Sequence, residues 1–337
     1  MTAVRSIWSR IDGFLAAILL TVAFAAAMPA RGEAAVAVGW LTDAAIALLF
    51  FMHGAKLSPE TALLGARHWR LHTTVFLSTF VLFPLLGLFA RLMAPNLLPE
   101  PLWAGVILLT ALPSTVQASI AFTSVAGGNV PAALCSASAS NLLGVFLAPL
   151  IAGVLLTRHG LDISARSVLA IVVQLLLPFV AGQLLRPWLG AFVTRHARAL
   201  KGVDYGSILL IVYSAFSHGV VNGIWHQVDA ADLFKVVLVD VALLAAVMSI
   251  LTFASRQLGF SRADQITIVF CGSKKSLASG LPIATLLFAG HIGLVIIPLM
   301  LFHQIQLMVC ASLARHYAAR RVPATEGHAV SAAGMGA

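Results

Sequence analysis

Charge is scarce in this sequence. Only 10% of its 337 residues are Asp, Glu, Lys or Arg, where a soluble domain carries about 25%. Apolar residues make up 60%, and the mean hydropathy is +0.97. A soluble core of this size cannot hide that much apolar surface. The shortage of charge excludes a soluble enzyme, a disordered chain and a nucleic-acid binder, and leaves a polytopic membrane protein in contact with the lipid bilayer. Cysteine is scarce as well. Cys135, Cys271 and Cys310 lie in apolar stretches, at spacings that match neither a metal site nor a disulfide framework, so core packing is their expected role. There is no nucleotide loop, metal quartet or catalytic dyad. Ser273 and Ser276 flank two lysines, but not at Ser-x-x-Lys spacing, and no oxyanion site accompanies them. No enzyme activity and no resident cofactor are expected.

What is present is a series of apolar runs. A span needs about 20 apolar residues. Ten candidates are read at 12–30, 36–55, 72–93, 102–126, 130–156, 167–188, 203–224, 232–255, 263–288 and 292–314. Residues 1–321 then form one integral membrane unit, with a disordered Ala/Gly/Ser-rich tail over 322–337. The basic start and the apolar run after it read as a retained first helix rather than a cleaved signal. With the N-terminus in the cytoplasm, fourteen of the 21 Lys and Arg residues fall on the inner side and five on the outer. That positive-inside bias accounts for the net charge of +9 and puts both termini in the cytoplasm, in the cytoplasmic membrane.

Ten spans divide as five plus five. An odd number per half inverts the second half in the membrane, the inverted-repeat plan of many secondary transporters. The repeats would cover about 12–156 and 167–314. Span four is interrupted at Leu112-Pro113-Ser114-Thr115, and span nine at Cys271-Gly272-Ser273-Lys274-Lys275-Ser276. Proline removes a backbone donor and clashes one turn back, and a break at membrane depth is tolerated only where protein or a watery cavity satisfies the freed groups. Paired breaks point to a transport site: half-helix N-termini offer N–H groups to an anion, and freed carbonyls hold a cation. A plain kink is the alternative reading of Pro113.

Lys274 and Lys275 are the sharpest feature. A charge at the bilayer centre costs at least about 2.5–3.5 kcal/mol. The alternative is a cytoplasmic loop, but neither apolar flank of the pair is long enough to cross alone. Adjacent helical residues diverge by about 100°, so the two lysines address one spot only if the helix is unwound. Either can bind an anion, pair with a carboxylate such as Asp43 or Asp240, or exchange a proton; the alternative for the two aspartates is a carboxylate near the membrane interface, Asp43 lying only a turn or two into span two. Around the breaks, Gln117, Thr123, Asn129, Ser136, Ser138 and Asn141 are further candidates for an ion or substrate site. His303, Gln304 and Gln306 form a polar cluster in span ten, with helix–helix hydrogen bonding as the alternative. Ser217, His218 and Asn222 are weaker candidates for a vestibule.

These residues also carry a family resemblance. The run Phe270-Cys271-Gly272-Ser273-Lys274-Lys275-Ser276-Leu277-Ala278-Ser279-Gly280 resembles the signature of the bile acid:sodium symporter superfamily in its SBF-like (YfeH/Rch-type) branch. Pro113-Ser114-Thr115-Val116-Gln117-Ala118-Ser119-Ile120-Ala121-Phe122-Thr123, followed by Ala126-Gly127-Gly128-Asn129, resembles the partner helix. Leu48 to Ser58 resembles the end of span two. The similarity runs from Ile11 to about Ala319.

The resemblance implies an all-α fold of ten transmembrane helices in two inverted five-helix repeats. A panel of spans 1, 2, 6 and 7 would face a core of spans 3–5 and 8–10, with unwound spans 4 and 9 crossing in the core. It also implies transport of a small organic anion by alternating access, commonly with sodium. Some eukaryotic relatives imply a different role, as a non-transporting regulator, for example of calcium homeostasis. A channel is a third reading, disfavoured because two lysines do not make a ring of charge.

The sodium pattern is not kept. Where the family has its sodium-ligating glutamate this chain has Phe270, and the glutamine and asparagine that follow become Lys274 and Lys275. The span-four serine ligand matches Ser119, but its neighbour is Ile120. The two span-five hydroxyls become Ala133 and Ala137. An ammonium supplies no oxygen ligand. A small shift would bring Ser136, Ser138 or Asn141 into the place of the span-five hydroxyls and keep Na+ as the coupling ion. The reading taken first is that a lysine, Lys274 before Lys275, stands where sodium would, with coupling to H+ or to no ion.

Overall fold

The computed structural model describes residues 13–56, 68–157, 165–221, 223, 229–288 and 292–320. The tail over 322–337, Asn222 and several of the counted arginines lie outside the described residues. Within them the chain is helical and contains no strand. In chain order the helices are α1 Gly13–Ala27, α2 Glu33–Lys56, α3 Trp69–Met93, α4 Glu100–Ala111, α5 Val116–Ala126 and α6 Val130–Thr157. They continue with α7 Ala165–Arg195, α8 Ala197–Val221, α9 Ala230–Gln257, α10 Arg262–Gly272, α11 Leu277–Leu287 and α12 Ile292–Ala319. Every apolar run read from the sequence is helical over most of its length.

Seven of these helices (α2, α3, α6, α7, α8, α9 and α12) are long and apolar enough to cross a membrane, and α4 with α5 makes an eighth span bent by 61°. Helix α1 is apolar but shorter. Helices α10 and α11 have 11 residues each, about 16 Å apiece at 1.5 Å per residue, so neither spans alone.

Sequence decides which face each helix buries. On α9, Val236, Val239, Asp240, Leu243, Leu244, Val247, Leu251 and Ser255 are buried in a stripe at helical spacing, while Phe234, Leu238 and Phe253 are exposed on the side that lipid would cover. Helix α4 is buried all round from Leu102 to Ala111, which places it at the centre of the bundle. Helices α2 and α7 touch backbone to backbone. A Cβ on Gly54 would meet the Phe179 carbonyl, and one on Gly182 would meet the Phe51 carbonyl. Only glycine permits that approach. Helix α3 carries a π-helical segment at Ser78–Leu82, a one-turn defect frequent at functional sites. Cys135, Cys271 and Cys310 are all buried.

Candidate functional site

Both breaks form where the sequence places them. Helix α4 ends at Ala111 and α5 starts at Val116, with Leu112 and Thr115 extended. Pro113 cannot donate, and its ring packs on Gly144 of α6. Helix α10 ends at Gly272 and α11 starts at Leu277, where the Ser276 side chain accepts from the Ser279 N–H and caps the helix.

The breaks lie against each other. The Ser276 N–H donates to the Pro113 carbonyl at 2.8 Å. Ser114 Oγ donates to the Cys271 carbonyl at 2.6 Å, and Ser119 Oγ to the Phe270 carbonyl at 3.3 Å. Helix α6 bridges the pair: Ser140 Oγ accepts from the Ser114 N–H at 3.1 Å, Asn141 Oδ1 accepts from Ser279 Oγ at 2.8 Å, and Asn141 Nδ2 reaches the Ser114 carbonyl at 3.4 Å. Backbone groups freed by the breaks are thus satisfied by one another and by α6, as a hydrocarbon setting demands.

A cavity of about 660 Å³ opens beside the crossing. One wall is the first turn of α5, with Thr115, Val116, Gln117 and Ala118. Another is the first turn of α11, with Ser276, Leu277, Ala278 and Ser279. Two helix N-termini therefore face one space, each with N–H groups and a partial positive charge. Thr115 Oγ1 has no hydrogen-bond partner among the described residues. Ser138, Asn141 and Leu142 of α6 and His303 of α12 contribute, and Phe50 and Phe179 supply an apolar wall. The far end holds His53 and Lys56 of α2 with Lys201, Asp204 and Tyr205 of α8. Lys56 pairs with Asp204, and Lys201 lies 5.3 Å from the Tyr205 ring centre.

Of the residues expected from sequence, Thr115, Gln117, Ser138, Asn141, Ser276 and His303 line this cavity, whereas Pro113, Ser114, Ser119, Ser273, Lys274 and Lys275 lie behind it in the crossing. Thr123 and Ser273 are buried, with their hydroxyls beside the Cys271 and Cys310 thiols. Ser136 meets His72 Nδ1 at 2.7 Å. Asn129 caps α6 through the Ala132 N–H and ties it to Asp264 of α10 at 2.9 Å. Gln304 is half-buried on α12, away from the cavity lining. Ser217 is buried and His218 exposed, and neither lines the cavity.

The two lysines point apart. Lys274 Nζ donates to the Ala118 carbonyl at 2.8 Å and sits 4.1 Å from the Phe122 ring centre and 5.3 Å from that of Phe270. Lys275 Nζ donates to the carbonyls of Thr79, Thr110 and Leu112 at 2.7, 2.7 and 2.8 Å, over the Phe83 ring at 4.2 Å. No carboxylate of the described residues lies within ion-pair distance of either. Asp43 is exposed, and Asp240 is buried with neither oxygen partnered among the described residues, so neither carboxylate pairs with a lysine here. Sequence reasoning also passed over Ser140, the far end of the cavity and the role of Gln306. Gln306 accepts from the Lys275 N–H and donates to the Lys275 carbonyl, both at 2.8 Å. That clamp fixes the unwound segment from α12.

Residues 12–319 match the model of the SBF-like CPA transporter family. The chain is 54% identical over 308 residues to a protein of Escherichia coli (strain K12) named "Putative symporter YfeH", covering 91% of this chain and 93% of that one. It is 27% identical over 309 residues to "Sodium/bile acid cotransporter 7" of Danio rerio, covering 89% and 91%. It is also 27% identical over 274 residues to the protein of that name in Mus musculus, covering 79% of each. The cavity, the crossed breaks and these matches agree: the chain is a multi-pass membrane protein that belongs to the SBF-like CPA transporter family, a family of transporters and not of enzymes.

Proposed function

We propose that the protein is a secondary transporter that carries a small organic anion across the cell membrane by alternating access. The observation that carries this reading is the cavity of about 660 Å³ with the first turns of both α5 and α11 in its wall. Two helix N-termini with their dipoles favour a carboxylate, sulfonate or sulfate there, and the phenylalanine wall takes an apolar body.

In this reading the chain crosses ten times, with α4–α5 and α10–α11 each making one broken span and the two five-span halves inverted. The panel is α1, α2, α7 and α8, held rigid by the Gly54–Gly182 seam, and the other helices form the core. The cavity runs between them. With both termini in the cytoplasm, the mouth at Lys56 and Lys201 faces inward. Lys274 supplies the charge that a coupling sodium ion would bring. Ser119 and Phe270, the counterparts of sodium ligands, lie against that crossing, and the Phe270 ring flanks the ammonium. Coupling is then to protons or absent.

Thermal unfolding of detergent-purified protein tests the anion site. Cholate, taurocholate and smaller carboxylates should raise Tm in a saturable way, as ligands of the folded state do. Gln117→Glu, which adds a carboxylate beside both N-termini, should weaken that effect at least about tenfold, the equivalent of 1.4 kcal/mol. If no anion stabilises the protein beyond its uncharged analogue, the reading fails.

A further inference from the structure

The three carbonyls around Lys275 Nζ are each free for a stated reason. In a regular helix the Thr79 carbonyl accepts from the N–H four residues on, at Phe83. Here the π segment diverts the Phe83 N–H to the Ser78 carbonyl. The next residue is Pro84, which has no N–H. The Thr110 carbonyl would accept from Ser114, but the Ser114 N–H is taken by Ser140 Oγ. The Leu112 carbonyl lies at the break itself, in extended backbone. Two separate defects, one in α3 and one between α4 and α5, thus turn three oxygens to a single point.

That point holds Lys275 Nζ, and three acceptors call for three N–H groups, which only the ammonium form has. Its three N–H groups match three acceptors at 2.7–2.8 Å, within the range of charge-assisted bonds. The Phe83 ring closes the fourth side. The side chain is 1% exposed. The oxygens are all neutral, as in filters that replace a cation's hydration shell with backbone carbonyls.

We propose that this is a cation-binding site in its own right, distinct from the Lys274 position, whose ligand is the chain's own Lys275 ammonium. The tethered cation joins α3, α4 and the unwound segment without waiting for an ion from solution. With the tether removed, the site takes a free monovalent cation that can donate N–H groups. The inference concerns assembly of the crossing and is independent of what the protein carries.

The test is thermal unfolding of Lys275→Ala in methylammonium chloride and, at equal ionic strength, tetramethylammonium chloride, which has no N–H. The variant should melt several degrees below wild type. Methylammonium should restore Tm with saturation and tetramethylammonium should not, while wild type responds to neither. A variant as stable as wild type, or one raised equally by both salts or by neither, overturns the proposal. If the variant cannot be recovered in either salt, Pro84→Ala decides. It returns an N–H that competes for the Thr79 carbonyl, so Tm should fall, although removing a proline from a helix ordinarily stabilises it. A rise in Tm would contradict the site.

Discussion

The backbone N–H of Ser276 donates to the carbonyl of Pro113 at 2.8 Å, so the two helix breaks are joined main chain to main chain. Ser114 Oγ adds a return bond to the Cys271 carbonyl. The crossing is one unit, and a change at either break should be felt at the other.

Ser114→Ala tests that unity. The hydroxyl is buried and its loss leaves the Cys271 carbonyl without this donor. Hydrogen bonds between membrane helices average about 0.6 kcal/mol, with a maximum near 1.7. A loss of that size should appear as a lower Tm and as faster backbone exchange at 271–276, in the opposite break of the crossing. Exchange unchanged there would separate the breaks.

Gln306→Leu removes the two bonds that hold Lys275's backbone at nearly constant volume. The unwound segment then loses both backbone partners on α12. We expect destabilisation of about 1–3 kcal/mol, the cost of orphaned buried polar groups. Anion-induced stabilisation should weaken too, because the first turn of α11 in the cavity wall follows directly. Denaturation with and without anion measures both.

Gly54→Ala should be far more damaging than Gly39→Ala on the same helix. An added Cβ at Gly54 falls 2.0 Å from the Phe179 carbonyl oxygen, while nothing lies within 4 Å of one at Gly39. The first wedges α2 from α7 and should cost at least the 1–3 kcal/mol typical of overpacking, about enough to lower yield and Tm clearly. The second exchanges glycine for a better helix former and should be neutral or stabilising by up to about 1 kcal/mol. Equal effects would dissolve the α2–α7 seam.

Much of this was legible because breaks are local signals. Pro113 and the Gly272–Ser273 pair mark their own positions, and each apolar run declares its own helix. The partners of those breaks were not legible. Ser140 and Gln306 look like ordinary span residues until helices α6 and α12 are packed against the crossing. The far end of the cavity joins Lys56 to Asp204, 148 residues away, and no local pattern encodes that. Lys274 and Lys275 are chemically identical neighbours. Only the direction in which the unwound backbone turns each one, and the π segment that frees the Thr79 carbonyl, separates a lysine between aromatic rings from one held by three oxygens.

The most direct test of the account is exchange of a labelled organic anion, taurocholate or whichever anion stabilises the protein most, across proteoliposomes in sodium and in choline chloride. For wild type we predict saturable, trans-stimulated exchange of equal rate in both salts. Lys274→Gln should be slowed, because it removes the charge that stands for sodium. Exchange that requires sodium in wild type, or that proceeds equally after Lys274→Gln, would contradict the account.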